Sequence, residues 1–390
     1  MMTKPFAITI LLAALVAPVH ADTAFSITSF GGAADGKTDN APAFRRAMQE
    51  VAKAGGGQIL FPPAVEPYLV RDTLLIDVSN VEVLGTGATV RLADGASNGR
   101  RTNAVQVSGT SDEPVENVTL RGLTVDANYW AQENAATPRG IQVMWARKVL
   151  LDRVRIVRPW VGLSLGRGTV DSEARDCEVN LWHNDAYSVD GAGYSGSTKR
   201  IRLLRCRAVG SPNEADGGLP GRRDNAFEIE DGCQDVELIE CQVANAGGTG
   251  FGIRNHAQPR EVKTRGITLT RCTVQDVPTA LAARSRGGDN RVMGISVVYC
   301  NMLPNVQFHR VGGEVRVEGG RFGNLAFVYR DIPQDEAPVV DALVRNARVD
   351  HLRADLPSPA AGTLRIEKST ILKALETTGE GVTVADSEMP

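Results

Sequence analysis

The chain is 390 residues long with a formal net charge of −3, from 43 Lys and Arg against 46 Asp and Glu. That near-balance gives no electrostatic case for a nucleic-acid partner, while the length supplies ample material for a large core. Forty glycines, many β-branched residues and only 5% aromatics predict short strands separated by tight turns.

The chain opens MMTKPFAITILLAALVAPVHADTA. Lys4 is a positive n-region, Phe6 to Val16 a short apolar run, and Val19-His20-Ala21 a small-residue cleavage site. The run is too short to span a bilayer. Residues 1–21 are therefore expected to be a signal peptide, with 22–390 a single exported domain, periplasmic or secreted, without a later membrane span. Residues 39–54, DNAPAFRRAMQEVAKA, read as an amphipathic helix. Asp39 or Asn40 serves as N-cap, Pro42 lies in the first turn, and Phe44, Met48 and Val51 share one face. Three glycines, 55 to 57, end it.

From about residue 115 a phrase recurs: NVTLRGLTV, KVLLDRVRI, EARDCEV, RLLRCRA, VELIECQV, ITLTRCTV, ISVVYCNM. Cys177, Cys206, Cys241, Cys272 and Cys300 occupy one place in it, at intervals of 29, 35, 31 and 28 residues. A period of this size implies a solenoid. Like side chains on neighbouring parallel strands point the same way and are poorly placed for disulfides, so the cysteines should form a buried ladder of free thiols. Cys233 lies off the ladder, in a turn. A second strand recurs between the phrases: GIQVM, VGLSL, DAYSVDG, NAFEIEDG, GFGIRN, TALAARS, NVQFHR. The absence of a helical period between strands excludes a doubly wound α/β sheet. The fold expected is all-β, a right-handed parallel β-helix of about ten coils closed at its N-terminal end by the helix. From about 331 to 390 the pattern weakens.

The stretch FSITSFGGAADGKTDNAPAFRRAMQEVAKAGGGQILFPP resembles the N-terminal signature of the pectate-lyase-like superfamily, which includes polygalacturonase-type glycoside hydrolases and polysaccharide lyases. The resemblance implies the β-helix fold and a carbohydrate substrate. In polygalacturonase-type enzymes an Asn-Thr-Asp, an Asp-Asp, a Gly-His-Gly and an Arg-x-Lys follow on successive rungs. His183-Asn184-Asp185 resembles the first motif. Asp224-Asn225 resembles the second, with Asn225 replacing an aspartate. Thr249-Gly250 stands where the histidine belongs, and Ala282-Ala283-Arg284 where the Arg and Lys belong.

Alternation along the second strand puts two columns on the outside. One runs Gln142, Ser164, Ser188, Glu228, Gly252, Ala282, Gln307; the other Met144, Gly166, Asp190, Glu230, Arg254, Arg284, His309. The candidate catalytic residues are Asp185, Asp224, Glu228, Glu230, Arg254 and His256. Paired carboxylates on adjacent positions raise one another's pKa, which suits a general acid. Trp130, Trp182, His183, Arg222, Arg223, Arg284 and His309 are candidates for binding substrate, since aromatic faces suit sugar rings and arginines suit uronates. The expected function is hydrolysis of glycosidic bonds in an acidic polysaccharide or oligosaccharide. One alternative is a Ca²⁺-dependent lyase, with Asp190, Glu230 and Asp231 as oxygen ligands and Arg254 or His256 as base. A non-catalytic carbohydrate-binding β-helix is another.

Overall fold

A computed structural model describes residues 23–97, 102–132, 137–210, 225–256, 261–285, 290–329, 339–356, 362–378 and 381–389. The expected signal segment, residues 1–21, lies outside them, as do Arg222, Arg223 and Asp224. No helix among the described residues is long and apolar enough to cross a membrane.

Every strand pairing is parallel along the main ladder, and the first sheet alone holds 16 strands, so the solenoid is longer than ten coils. A central coil shows the construction. Gln234–Ile239 forms a first face, Gln242–Ala244 a short second face, and Thr249–Arg254 a third. Three faces per coil, rather than two, follow from two sharp corners. Glu240 turns the first corner at φ 55° and Asn245 the second at φ 55°. The residue before each ladder cysteine has the same left-handed backbone: Asp176, Arg205, Glu240, Arg271 and Tyr299, with φ between 50° and 55°. Such a conformation costs a non-glycine residue about 1–2 kcal/mol. Stacking offsets that cost. The Glu240 N–H donates 2.8 Å to the Thr270 carbonyl one rung on. Arg205 forms a bidentate pair with Asp176 at 2.7 Å, and Arg271 reaches Glu240 at 2.7 Å.

The phrase's cysteine is the first residue after that corner, and it turns inward. All six cysteines are free and buried, as expected. Each ladder thiol donates to a carbonyl of the preceding coil; Cys206 reaches Ala174 at 3.3 Å and Cys241 reaches Leu203 at 3.2 Å. The interior of the third face is an aromatic column. Tyr187 stacks on Phe227 with centroids 4.5 Å apart, and Phe227 on Phe251 at 5.1 Å, close to the spacing of strands.

The N-terminal helix spans Ala41–Lys53 and buries Phe44, Ala47, Met48 and Val51 over the open end, with Phe44 stacked on Phe61. Asn40 holds the N-cap position without capping through its side chain, which instead bonds Ala33, Thr38 and Leu69. Asp39 accepts from the N–H groups of Ala41 and Arg71, tying the helix start to the first coils.

Beyond residue 339 the first face continues in register through Val340–Arg345, Gly362–Glu367 and Val382–Ala385. What weakens is the second corner. Arg321–Val328 pairs with second-face residues at its start and with the third-face strand Asn305–His309 at its end. The strands Arg348–Asp355 and Thr370–Thr378 follow it, so two faces merge into one.

Candidate active site

The third face carries most of the candidate catalytic residues, and its strands are stacked without offset at the centre of the solenoid. Asp185–Asp190 pairs with Asn225–Glu230, placing Ser188 beside Glu228 and Asp190 beside Glu230. The next strand places Gly252 beside Glu228 and Arg254 beside Glu230, and the one after aligns Arg254 with Arg284. His309 then aligns with Arg284. Both outward columns therefore stand in the register expected from alternation.

Glu228 is 2% exposed and forms an ion pair with the guanidinium of Arg254 above it. An ideal Cβ at Gly252 would meet the Asn225 amide at 2.4 Å, so only glycine at this rung lets Asn225 and Glu228 share the space beneath Arg254. Asp185 sits at the leading end of its strand, 3% exposed, where its carboxyl accepts from the Asn225 N–H at 3.3 Å. Burial and the neighbouring Glu228 and Glu230 carboxyls push Asp185 well above the usual carboxylate range. Its carboxyl also hydrogen-bonds to Glu228.

Glu230 lies on the same strand two residues on. Burial, with Glu228 and Asp190 adding to it and the His256 hydrogen bond pulling the other way, raises it to about 7. His256 Nδ1 lies 3.0 Å from Glu230 Oε2 and 3.0 Å from Asp231 Oδ2. Hydrogen bonds to Asp231 and Glu230 raise the imidazole to about 10, so it is a cation at neutral pH. Asp231 reaches that position because it turns the corner after Glu230 at φ 51°, and its other oxygen accepts the His256 N–H at 2.6 Å. His256 thus brings an imidazole to the carboxylates from the trailing end of its rung, whereas Thr249, where the family's histidine would stand, is at the leading end.

The proposed metal set fares differently. Asp190 accepts from the Ala192 N–H, and Asp231 is held by His256. Among the described residues, the acidic and histidine atoms that gather within 4.8 Å of one another belong to Glu228, Glu230 and His256. Ca²⁺ takes six to eight oxygen ligands, whereas this trio offers two carboxylates and an imidazole nitrogen, with Arg254 already on Glu228. The donor set does not fit calcium.

Of the residues expected to bind substrate, Trp182 is 1% exposed and fills the interior at a coil corner. This corrects its expected role: a ring with no exposed face cannot carry a sugar. Trp130 and His183 are instead part of a cluster with Tyr129 and Trp160, which sequence reasoning passed over. Trp160 and His183 have centroids 4.4 Å apart, and Tyr129 lies 4.9 Å from His183 and 5.3 Å from Trp160. The alignment comes from the backbone: Asn128, Arg158 and Leu181 all turn the second corner in the left-handed region, which aligns Trp130, Trp160 and His183 two residues later.

Arg284 and His309 line a groove of about 560 Å³ together with Arg254, Gln307, Arg310 and Arg353. Asp355 also borders it and is paired with Arg353 at 3.0 Å. Burial and the neighbouring Arg284 and Arg310 hold His309 below its ordinary value. Along the third face, carboxylates thus give way to arginines over successive rungs.

No protein-family model and no curated protein sequence matches the chain. Solved structures do. The A-module of mannuronan C-5 epimerase AlgE6 from Azotobacter vinelandii aligns with a TM-score of 0.61 at 16% identity, covering 94% of this chain and 99% of that one. The exopolygalacturonase of Thermotoga maritima aligns at 0.58 and 14%, covering 94% and 93%. PfbA, a surface adhesin of Streptococcus pneumoniae, aligns at 0.57 and 11%, covering 93% and 92%. An epimerase, a hydrolase and an adhesin share this architecture, so it is the fold that the likeness establishes. The chain has the right-handed parallel β-helix fold of these structures.

Proposed function

We propose that the protein is an exported glycoside hydrolase acting on a uronate-containing polysaccharide. The observation that carries this reading is Glu230, a buried carboxyl raised to about 7 with the carboxylate of Glu228 beside it. A carboxyl of that pKa is protonated often enough at neutral pH to donate to a glycosidic oxygen, and acidic enough to do so. Glu230 is the general acid. Glu228, whose ligand atom lies within 4.8 Å of that of Glu230, is the nucleophile. That spacing suits a retaining mechanism, since an inverting pair stands about 6.5–9.5 Å apart to admit a water. Glu228 attacks the anomeric carbon as Glu230 protonates the departing oxygen; water then releases the sugar, with Glu230 taking its proton. Asp185, hydrogen-bonded to Glu228, orients that nucleophile, and Arg254 neutralises it between turnovers.

Elimination is less well served. It needs a base at neutral pH, and both candidates are held as cations: Arg254 by Glu228, His256 by Asp231 and Glu230.

The test is incubation with uronate polysaccharides, with and without chelator, following reducing ends and the ultraviolet absorbance of an unsaturated uronate. Reducing ends without the chromophore, unaffected by chelator, are expected; the chromophore, lost on chelation, would overturn the reading in favour of a lyase. Glu230→Gln should lower kcat by about 10²–10⁴. Proton NMR of the first product should show the anomeric configuration retained.

A further inference from the structure

Beyond Glu230 the third face carries a groove whose floor is set by residue size. In the middle column Gly252, Ala282 and Ala326 are small, and Gln307 stands between the two alanines. In the neighbouring column Arg284 aligns with Arg254 before it and with His309 after it, and Val328 follows His309. Adjacent rungs stand about 4.8 Å apart, so the Arg284 guanidinium and the His309 ring can meet one small group from two sides. Glu230 belongs to the same column, two rungs before Arg284, or about 10 Å along the axis.

Three side chains of this groove are uncommitted. Among the described residues, those of Arg284, Gln307 and His309 make no hydrogen bond and no ion pair. Other ions of the groove are held: Arg254 by Glu228, and Arg353 by Asp355 at 3.0 Å. Asp355 also accepts from the Thr378 hydroxyl at 3.1 Å, and it lies two rungs beyond His309. The charges beside the imidazole are Arg284 on the strand before it and Arg310 at its own corner, while the strand after it presents Val328. With burial, these cations hold His309 below its ordinary value, so the ring is mostly neutral at neutral pH. A guanidinium, an amide and a neutral imidazole without partners thus share a groove of about 560 Å³.

We propose that Arg284, Gln307 and His309 form a proton-linked site for a carboxylate of the substrate. The planar fork of arginine matches a carboxylate, and the Gln307 amide donates to an oxygen of the same sugar. A bound anion favours the charged imidazole, so His309 takes up one proton from solvent as the sugar seats. Its pKa is then higher in the occupied site than in the free one. Affinity rises as pH falls through the interval between those two values, by up to about tenfold per pH unit for one proton. It levels off once the free ring is itself charged. Standing two rungs from Glu230, the site holds a sugar beyond the bond being cut and acts in binding rather than in the chemical step. That the anion is a uronate rests on the reading above; that the site takes up an anion with a proton does not.

Titration calorimetry of full-length Glu230→Gln protein, in two buffers of different ionisation enthalpy, counts the protons taken up on binding. The probes are polygalacturonate, polymannuronate and a fully methyl-esterified pectin, which keeps the backbone of the first without its charge. Proton uptake, and affinity that rises toward acid pH, are expected with an acidic polymer and not with the ester. On the same background His309→Gln should reduce the uptake and flatten the pH slope, with His309→Asn as a second variant should the first lower Tm. Arg284→Gln should weaken binding of the acidic polymer at least about tenfold. By removing a repelling charge it should also raise His309 in the free protein, as read from its imidazole NMR signal. An unchanged proton count and slope in a folded His309 variant overturns the proposal, as does equal affinity for acid and ester or failure to bind either acidic polymer. Proton-linked binding without reducing ends from the wild type would instead overturn the hydrolase assignment alone.

Discussion

Glu230 and His256 owe their properties to each other and to one backbone torsion. Asp231 adopts φ 51°, a strained choice for a non-glycine residue, and this places a second carboxylate against the imidazole. The pH consequences have definite signs. His256 pulls Glu230 downward, so His256→Gln should move the alkaline limb of kcat, set by deprotonation of Glu230 from about 7, to higher pH. A limb that stays in place would remove Glu230 from the role of acid. For stability, His256 is raised from 6.5 to about 10. Its contribution is fully present below pH 6.5 and lost as pH rises through 10, because the folded state binds the proton more tightly. Thermal melts of the wild type should fall across that window, and those of His256→Gln should fall less. The outward columns holding Glu228, Glu230 and Arg254 were legible because strand alternation and repeat spacing fix a register. The pairing of His256 with Asp231 was not, since it depends on a corner torsion that no residue type dictates.

At the scale of elements, the coil is a strand, a left-handed residue, an inward small side chain, and a second strand. The inward position holds cysteine five times in succession, and Gly320, Ala347 and Ser369 afterwards. Its tight packing explains the preference. At Gly320, φ is 82° and an added Cβ would lie 2.1 Å from the Cys300 carbonyl oxygen. Gly320→Ala should therefore destabilise by about 2 kcal/mol or more, combining backbone strain with overpacking, as read by urea denaturation. A neutral result would mean the coil relaxes at no cost. All six thiols should resist a water-soluble disulfide reagent in the native protein and react together once it is unfolded. The cysteine ladder was readable from spacing alone. The aromatic cluster was missed because Tyr129, Trp160 and His183 lie in loops of unequal length, and only the shared corner at Asn128, Arg158 and Leu181 aligns them. Trp182 misled for the same reason: one residue from His183 in sequence, it points to the other side of the wall.

Across the whole molecule, each coil touches mainly its neighbours, so stability is a sum of local terms and need not be uniform. The C-terminal coils were obscure in sequence because the second corner disappears as two faces merge after Arg321, even though the first corner, at Asn346 and Lys368, and the first-face register run on. The N-terminal helix was plain, because its apolar face repeats at helical spacing with no strand signal to compete. That helix offers a test of the one-dimensional view. Phe44 is 1% exposed and stacks on Phe61, so Phe44→Ala should cost about 3–5 kcal/mol at the first coils. If coupling falls off from rung to rung, amide exchange in Gly57–Leu60 and Val81–Leu84 should quicken, while Asn225–Glu230 keeps its protection and kcat is unchanged below the melting range. Equal loss of protection at Asn225–Glu230 would show instead that the solenoid unfolds as one cooperative body, with the cap helix holding the site in place from several rungs away.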